Sequence, residues 1–202
     1  MDISIRLERE ADYRSVEYLT REAFWNVYKP GCVEHLLVHK IRKVPAFIKG
    51  LSFVAVDKDK IIGNIIYSKA KLINDDNKEF EVLCMGPIGV LPFYQGQRIG
   101  SRLINHSIDK ARQLGYKAII LSGNQNYYHR FGFLNAKEYG IQTSSGANFE
   151  EFMALELYDG GLQGISGRFY EDEVFTIAED ELEIFEREFP YKEKRITDTQ
   201  LK

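Results

Sequence analysis

The run Val90-Leu91-Pro92-Phe93-Tyr94-Gln95-Gly96-Gln97-Arg98-Ile99-Gly100-Ser101-Arg102-Leu103 joins an apolar segment to an amphipathic one through a short polar turn. If the first is a strand and the second a helix, the first amides of that helix have no intrahelical acceptor. The positive end of the helix dipole lies at the same place, so the turn can hold an anion. Gly96 and Gly100 let a ligand approach the main chain closely. No Gly-Lys-Ser/Thr follows, which excludes a Walker loop, and the two glycines stand four apart, which excludes a dinucleotide fingerprint. Many strand-to-helix turns carry a glycine and bind nothing, so spacing alone leaves both readings open.

Other reactive side chains have plainer readings. His35 and His39 stand four apart on a helical pattern and could face one metal, but no third ligand has matching spacing. A wet helix face is expected for both. Cys84 lies in an apolar run and reads as a small buried hydrophobe, with no base assignable to it. Tyr127 and Tyr128 stand beside Phe131 and Phe133 and would serve as packing.

Two motifs together carry a family resemblance. Gln95-x-x-Arg98-x-Gly100, after Gly86-Pro87-Ile88-Gly89-Val90, resembles the acyl-CoA-binding motif of the GNAT superfamily of N-acetyltransferases, Gln/Arg-x-x-Gly-x-Gly/Ala. At the expected distance, Asn126-Tyr127-Tyr128-His129-Arg130-Phe131-Gly132-Phe133 resembles that family's Phe-Tyr-x-x-x-Gly-Phe. With Met85-Gly86-Pro87-Ile88, the pair is similar to the bacterial YhbS-like branch. The likeness extends over residues 1 to about 157.

The resemblance implies an enzyme that uses acetyl-CoA as cosubstrate, needs no metal, and transfers acetyl directly to a small amine or a peptide amine. Gln95, Gly96, Gln97, Arg98, Ile99, Gly100 and Ser101 would hold the CoA phosphates. Ile88, Gly89 and Val90 would hydrogen-bond the pantetheine arm as an added strand would. One of their amides would hold the acetyl carbonyl where negative charge grows. Pro87 has no N–H and is excluded from that role. Tyr128 occupies the family's general-acid position, and a phenol, with an ordinary pKa of about 10, is protonated at pH 7 and able to give its proton to a leaving thiolate. Arg98 departs from the motif, which prefers glycine. It is expected in helical backbone, where glycine is not demanded, as a phosphate contact or as a tolerated surface arginine. No general base is assignable: Glu22, Glu34, Glu81 and a water relay are equally open. A non-catalytic acyl-CoA-binding sensor or a regulatory interaction protein is the alternative.

The elements that must position these groups follow from periodicity. Ile3, Ile5 and Leu7 alternate as an opening strand. Val16, Leu19, Ala23, Phe24 and Val27 recur at helical spacing behind Asp12 as N-cap, and a second helix carries Val33, Leu36, Leu37 and Ile41. Strands at 52–56, 61–70 and 80–90 form a meander with turns at Asp57–Lys60 and Asn74–Asn77. Ile99, Leu103, Ile104, Ile108, Ala111 and Leu114 make one helix face that ends at Gly115, and Lys117–Leu121 is a buried strand. Strand, helix and strand there form a βαβ unit whose strands are parallel. A short helix spans Asn126–Arg130, with a strand after Gly132 and another over Phe149–Tyr158. Gly160, Gly161, Gly164 and Gly167 mark loops, and a last helix runs from about Glu179 to Phe189, with Thr176 and Glu179 spaced as a capping box. The fold class is α/β (α+β). By resemblance it is the GNAT fold, with a mixed, mostly antiparallel central sheet, one parallel βαβ splay and helices on both faces. The expected organisation is a GNAT domain over 1–157 and an extension over 158–202 packed on that same domain.

Composition bounds the setting. The chain of 202 residues is 44% hydrophobic and 28% charged, which excludes disorder and coiled-coil compositions. Two cysteines exclude a disulfide scaffold, and a reducing cytoplasm is the expected location. The opening MDISIRLEREADYRSVEYLT has no secretory apolar core, and no apolar run approaches the ~20 residues that cross a bilayer. Net charge is −3, but residues 171–188 hold nine acids and one base, leaving the rest at +5. That excess is too small and too spread for a nucleic-acid surface, so neither nucleic acid nor membrane is expected as a partner. A homodimer is the assembly the resemblance admits.

Overall fold

The computed structural model describes residues 3–198 and Gln200. Among them, nine strands hydrogen-bond in the order β1-β2-β3-β4-β5-β8-β6, with β9 paired to β3 and to β7. The fold is α/β, a mixed and mostly antiparallel sheet flanked by helices. The chain divides into two compact units, and the long strands β3 (Lys60–Ile73) and β4 (Glu79–Val90) contribute to both.

The first unit comprises 1–66, 87–103 and 173–202. Its strand β1 (Ile3–Leu7) pairs antiparallel with β2 (Phe53–Asp57), which turns through Asp57–Lys60 into β3. Helices α1 (Tyr13–Phe24) and α2 (Glu34–Ile41) bury Val16, Leu37, Val38 and Ile41 against Val54, Val56, Ile66 and Val174. A buried ion network ties these pieces: Arg42 lies 2.6 Å from Glu8 and 3.3 Å from Glu17, and Ser52 Oγ donates to Glu8 at 2.8 Å. Asp12 does not cap α1 with its side chain. Its carboxylate accepts instead from the Arg9 amide at 2.8 Å and from Arg6.

Helix α5 (Glu179–Glu186) belongs to this unit. Phe185 and Phe189 are buried against Leu36, with Leu182 partly buried beside them. The expected Thr176–Glu179 capping box does not form, because the residue before the helix is Ala178. The acids of α5 are not all solvated: Glu181 pairs with Lys40 at 2.6 Å, and Glu186 pairs with Arg21. The expected wet face of α2 is likewise corrected at His35, which is fully buried beneath Phe185 and Phe189.

The second unit comprises 67–86 and 104–172. β4 pairs in parallel with β5 (Ala118–Ser122) at Leu83↔Ile119, the pairing expected of the βαβ unit. β5 pairs antiparallel with β8 (Phe152–Glu156), and β8 with the short β6 (Leu134–Asn135). Besides the βαβ pair, β7 (Ile141–Thr143) and β9 (Gly167–Tyr170) also run parallel, and β9 is antiparallel to β3. Gly167, expected in a loop, opens β9. Helix α3 (Ile99–Gln113) starts in the first unit and continues into the second. Ile99, Leu103, Ile104, Ile108 and Ala111 are buried, whereas Leu114 falls beyond its last turn and is 48% exposed. Helix α4 (Gln125–Tyr128) is a single turn capped by the Asn124 side chain.

Candidate active site

The turn between β4 and α3 follows the expected strand-to-helix course except at one residue. A 3-10 turn over Pro92–Tyr94 leaves β4, and Gln95 Nε2 donates back to the Val90 carbonyl at 3.0 Å, fixing the turn on the strand end. The first helical bond of α3 is Arg102 N to Arg98 O at 3.0 Å. The amides of Ile99, Gly100 and Ser101 therefore precede the intrahelical ladder. Gly96, Gln97 and Arg98 are exposed.

Arg98 corrects the expectation of helical backbone. Its φ is +61°, in the left-handed region, and it stands just outside α3. The chain leaves Gln95 extended and passes through Gly96 at φ +75°, so the reversal into the helix is completed at position 98. Glycine adopts that conformation at no steric cost, and arginine does so under strain.

Ile88, Gly89 and Val90 end β4 and line a cleft of about 400 Å³ in the first unit. Glu22, Phe24, Trp25 and Tyr28, from the end of α1 and the turn after it, line it as well, with Gln95. Gly89 allows α1 this approach. A Cβ there would lie 3.0 Å from Asn64 Oδ1, 3.2 Å from Leu19 and 3.4 Å from Ala23. Glu22 is the one charged residue among the described lining, and its carboxylate accepts from Lys192 Nζ at 2.6 Å. Of the other carboxylates weighed as bases, Glu34 accepts from the Val33 amide and has its pKa raised by burial, and Glu81 is exposed and paired with Lys69. Neither lines the cleft.

Tyr128 lies in the second unit, at the end of α4. Its ring meets Tyr127 edge-on at 5.2 Å and Phe133 at 5.7 Å. Nearby, Tyr67 is buried with its hydroxyl 2.9 Å from Ser107 Oγ, and burial pushes that phenol well above its usual range. Cys84 is buried and its thiol is pushed up by desolvation, as expected of an inert core cysteine. Cys32 is equally buried, 3.3 Å from His35 Nδ1. His35 and His39 do not converge: His39 Nδ1 faces Glu17 at 2.8 Å, and His35 Nε2 lies 2.9 Å from Glu186 Oε2, at an angle short of a hydrogen bond. Among the described residues, no group of three His, Cys, Asp or Glu could hold a metal, and no helix is long and apolar enough to cross a membrane.

Of the lining from α1 and the turn after it, the sequence singles out only Glu22, whereas Ile88, Gly89, Val90 and Gln95 are all named there. Phe24 and Val27 read as core positions of α1, Trp25 and Tyr28 carried no motif, and Lys192 lies far away in sequence.

A cleft at the end of β4 and the unpaired first amides of α3 stand on either side of one strand-to-helix turn. The model of the acetyltransferase (GNAT) family matches residues 18–133, and the chain belongs to that family. It is 27% identical over 164 residues, 81% of this chain and 92% of the other, to the uncharacterized N-acetyltransferase YhbS of Escherichia coli strain K12. The crystal structure of E. coli YhbS in complex with CoA matches with TM-score 0.76 and 26% identity, covering 86% of this chain and 91% of that one. A GNAT acetyltransferase from Brucella melitensis in complex with acetyl-CoA matches with TM-score 0.69 and 26% identity, covering 86% and 98%.

Proposed function

We propose that the protein transfers the acetyl group of acetyl-CoA to an amine by direct attack. The observation that carries this reading is the junction of β4 and α3: the strand end Ile88–Val90 opens onto a cleft, and the free amides of α3 begin at Ile99, nine residues after Gln95's acceptor, Val90. These groups fit a ligand with an extended polar arm and a terminal phosphate cluster, as held by the relatives crystallised with CoA or acetyl-CoA. When bound, the thioester supplies an activated carbonyl.

The residues then act as follows. Amides from Gln95 to Ser101 neutralise phosphate charge with the α3 dipole behind them. Gln95 holds the turn in register with the strand. An amide of Ile88, Gly89 or Val90 donates to the acetyl oxygen, where charge accumulates as the amine nitrogen bonds to carbon. Glu22, directly or through water, takes the proton that the amine loses. Tyr128 gives its hydroxyl proton to sulfur as the C–S bond breaks.

Calorimetry with acetyl-CoA, followed by free-thiol release on an amine panel, tests the reading. Gly100→Pro should lower acetyl-CoA affinity at least about tenfold. Tyr128→Phe should lower kcat about 10²–10⁴-fold with little change in the KM for acetyl-CoA. Tight binding with no thiol release from any amine would instead establish a non-catalytic acyl-CoA sensor.

A further inference from the structure

Residues 190–197 form a strap across the end of α1, outside the segment that matches the family. It bonds there to residues 21–26. Arg21 Nη2 donates to the Pro190 carbonyl at 3.0 Å, and Lys192 Nζ to Glu22 Oε2 at 2.6 Å. Trp25 Nε1 and Asn26 Nδ2 both donate to the Glu193 carbonyl, at 3.0 and 3.1 Å. The Arg195 amide donates to Asn26 Oδ1 at 3.0 Å. This is the stretch that gives Glu22, Phe24 and Trp25 to the cleft.

We infer that the strap sets the acceptor class of that cleft: Lys192 neutralises Glu22 and restricts the cleft to amines bearing one positive charge on an apolar body, excluding dications. The inference rests on the cleft being the acceptor site of the proposed transferase. Its physical basis is the charge balance of the walls. Glu22 is the one charged group among the described lining, and Phe24, Trp25, Val27 and Tyr28 make that lining largely apolar and aromatic. The Glu22–Lys192 pair is partly exposed, with side chains 41% and 34% accessible, so it adds little to folding stability. Its effect falls on ligands. With Lys192 in place, the one carboxylate among the described lining is already shared, and Arg21 Nη1 lies 3.9 Å from its other oxygen. The Lys192 ammonium also lies 5.8 Å from the Trp25 ring, and the Arg21 guanidinium 4.2 Å from it, so positive charge backs that wall. A monoamine loses its ammonium proton to react and leaves only apolar surface in the cleft. A diamine must also desolvate a second ammonium with no free partner, beside Lys192. Discrimination arises from that repulsion rather than from added attraction.

Trp25 is the sole tryptophan of the chain and lines both this cleft and a second one beside Glu183 and Glu186, so a Glu183→Gln control, which leaves this cleft untouched, assigns its emission change. The experiment titrates wild type, Lys192→Met and Lys192→Arg with pentylamine and with 1,5-diaminopentane, CoA present, while following Trp25 fluorescence. Wild type should bind pentylamine about tenfold more tightly than the diamine. Lys192→Met, which leaves Glu22 only the more distant Arg21, 3.9 Å away, should bring the ratio near one, and Lys192→Arg should keep the wild-type ratio. A ratio unmoved in folded Lys192→Met, equal binding of both amines by wild type, or an emission silent to both overturns the inference. Acetyl-CoA calorimetry and thiol release are read separately. Their failure alongside a shifted amine ratio would sink the transferase reading and leave the strap's specificity standing.

Discussion

The ring of Tyr128 lies directly on the main chain of Gly123: a Cβ built at that glycine would sit 2.5 Å from Cε2 of the phenol and 3.1 Å from Cδ2. Real Cβ atoms do not come that close, and the ring is held on other sides by Tyr127 and Phe133. Gly123 is therefore a positioning residue for the proposed acid. Gly123→Ala should lower kcat while leaving the KM for acetyl-CoA within about twofold, since the hydroxyl acts only as sulfur departs. In the Gly123→Ala/Tyr128→Phe double variant the second change should cost little more, because both remove one function. Additive losses in steady-state kinetics would make Gly123 a general packing residue.

Arg98 shows how far local sequence carries the site. The motif spacing and the glycines place the turn correctly, and the α3 face from Ile99 to Ala111 follows from periodicity alone. The left-handed φ of Arg98 does not, because it is set by how the chain must turn between β4 and α3, and side-chain type gives the opposite hint. Arg98→Gly should raise stability by roughly 0.5–1 kcal/mol, the relief of strain being partly offset by the entropy of the unfolded glycine chain. Arg98→Val should lower it by more than that, since a β-branched side chain tolerates positive φ least. Thermal melts of the two variants check the ordering.

What escaped the sequence was mostly long-range. His35 and His39 share a helix pattern that says nothing of α5, whose Phe185 and Phe189 cover His35 from 150 residues away in the chain. β9 was hidden because its short run begins with a glycine in a glycine-rich stretch, and its pairing partners are far away. Glu22 was one of three equal carboxylates until the packing of α1 on Gly89 brought it to the cleft.

Burial pushes the His35 imidazole down to about 4, against the opposing pull of Glu186, with Arg21 adding to the depression. In the unfolded chain its pKa is about 6.5. Above that value both states are neutral and His35 adds no pH dependence. As pH falls below it, the unfolded state binds the proton first, so stability declines between about 6.5 and 4 and then levels. Across that window wild type should lose up to about 1.4 kcal/mol per pH unit more than His35→Gln. Urea midpoints at pH 7, 6 and 5 measure it, and parallel lines for the two proteins would overturn the assignment.

Phe189 and Tyr191 are two residues apart and give opposite expectations. Phe189 is 7% exposed, packed edge-on against Tyr18 at 4.8 Å and His35 at 5.2 Å, with the Arg14 guanidinium 4.1 Å from its ring. Tyr191 is 92% exposed. Phe189→Ala removes a buried aromatic and leaves a cavity among α1, α2 and α5, a loss of about 3–5 kcal/mol. Tyr191→Ala should stay within about 0.5 kcal/mol of wild type. If α5 were a loosely attached tail, neither change would move the cooperative transition. Urea denaturation followed by Trp25 emission decides it, because the strap that follows Phe189 bonds the Trp25 indole through the Glu193 carbonyl. A Phe189→Ala protein with an unshifted midpoint would mean that the C-terminal helix contributes nothing to the fold of its unit.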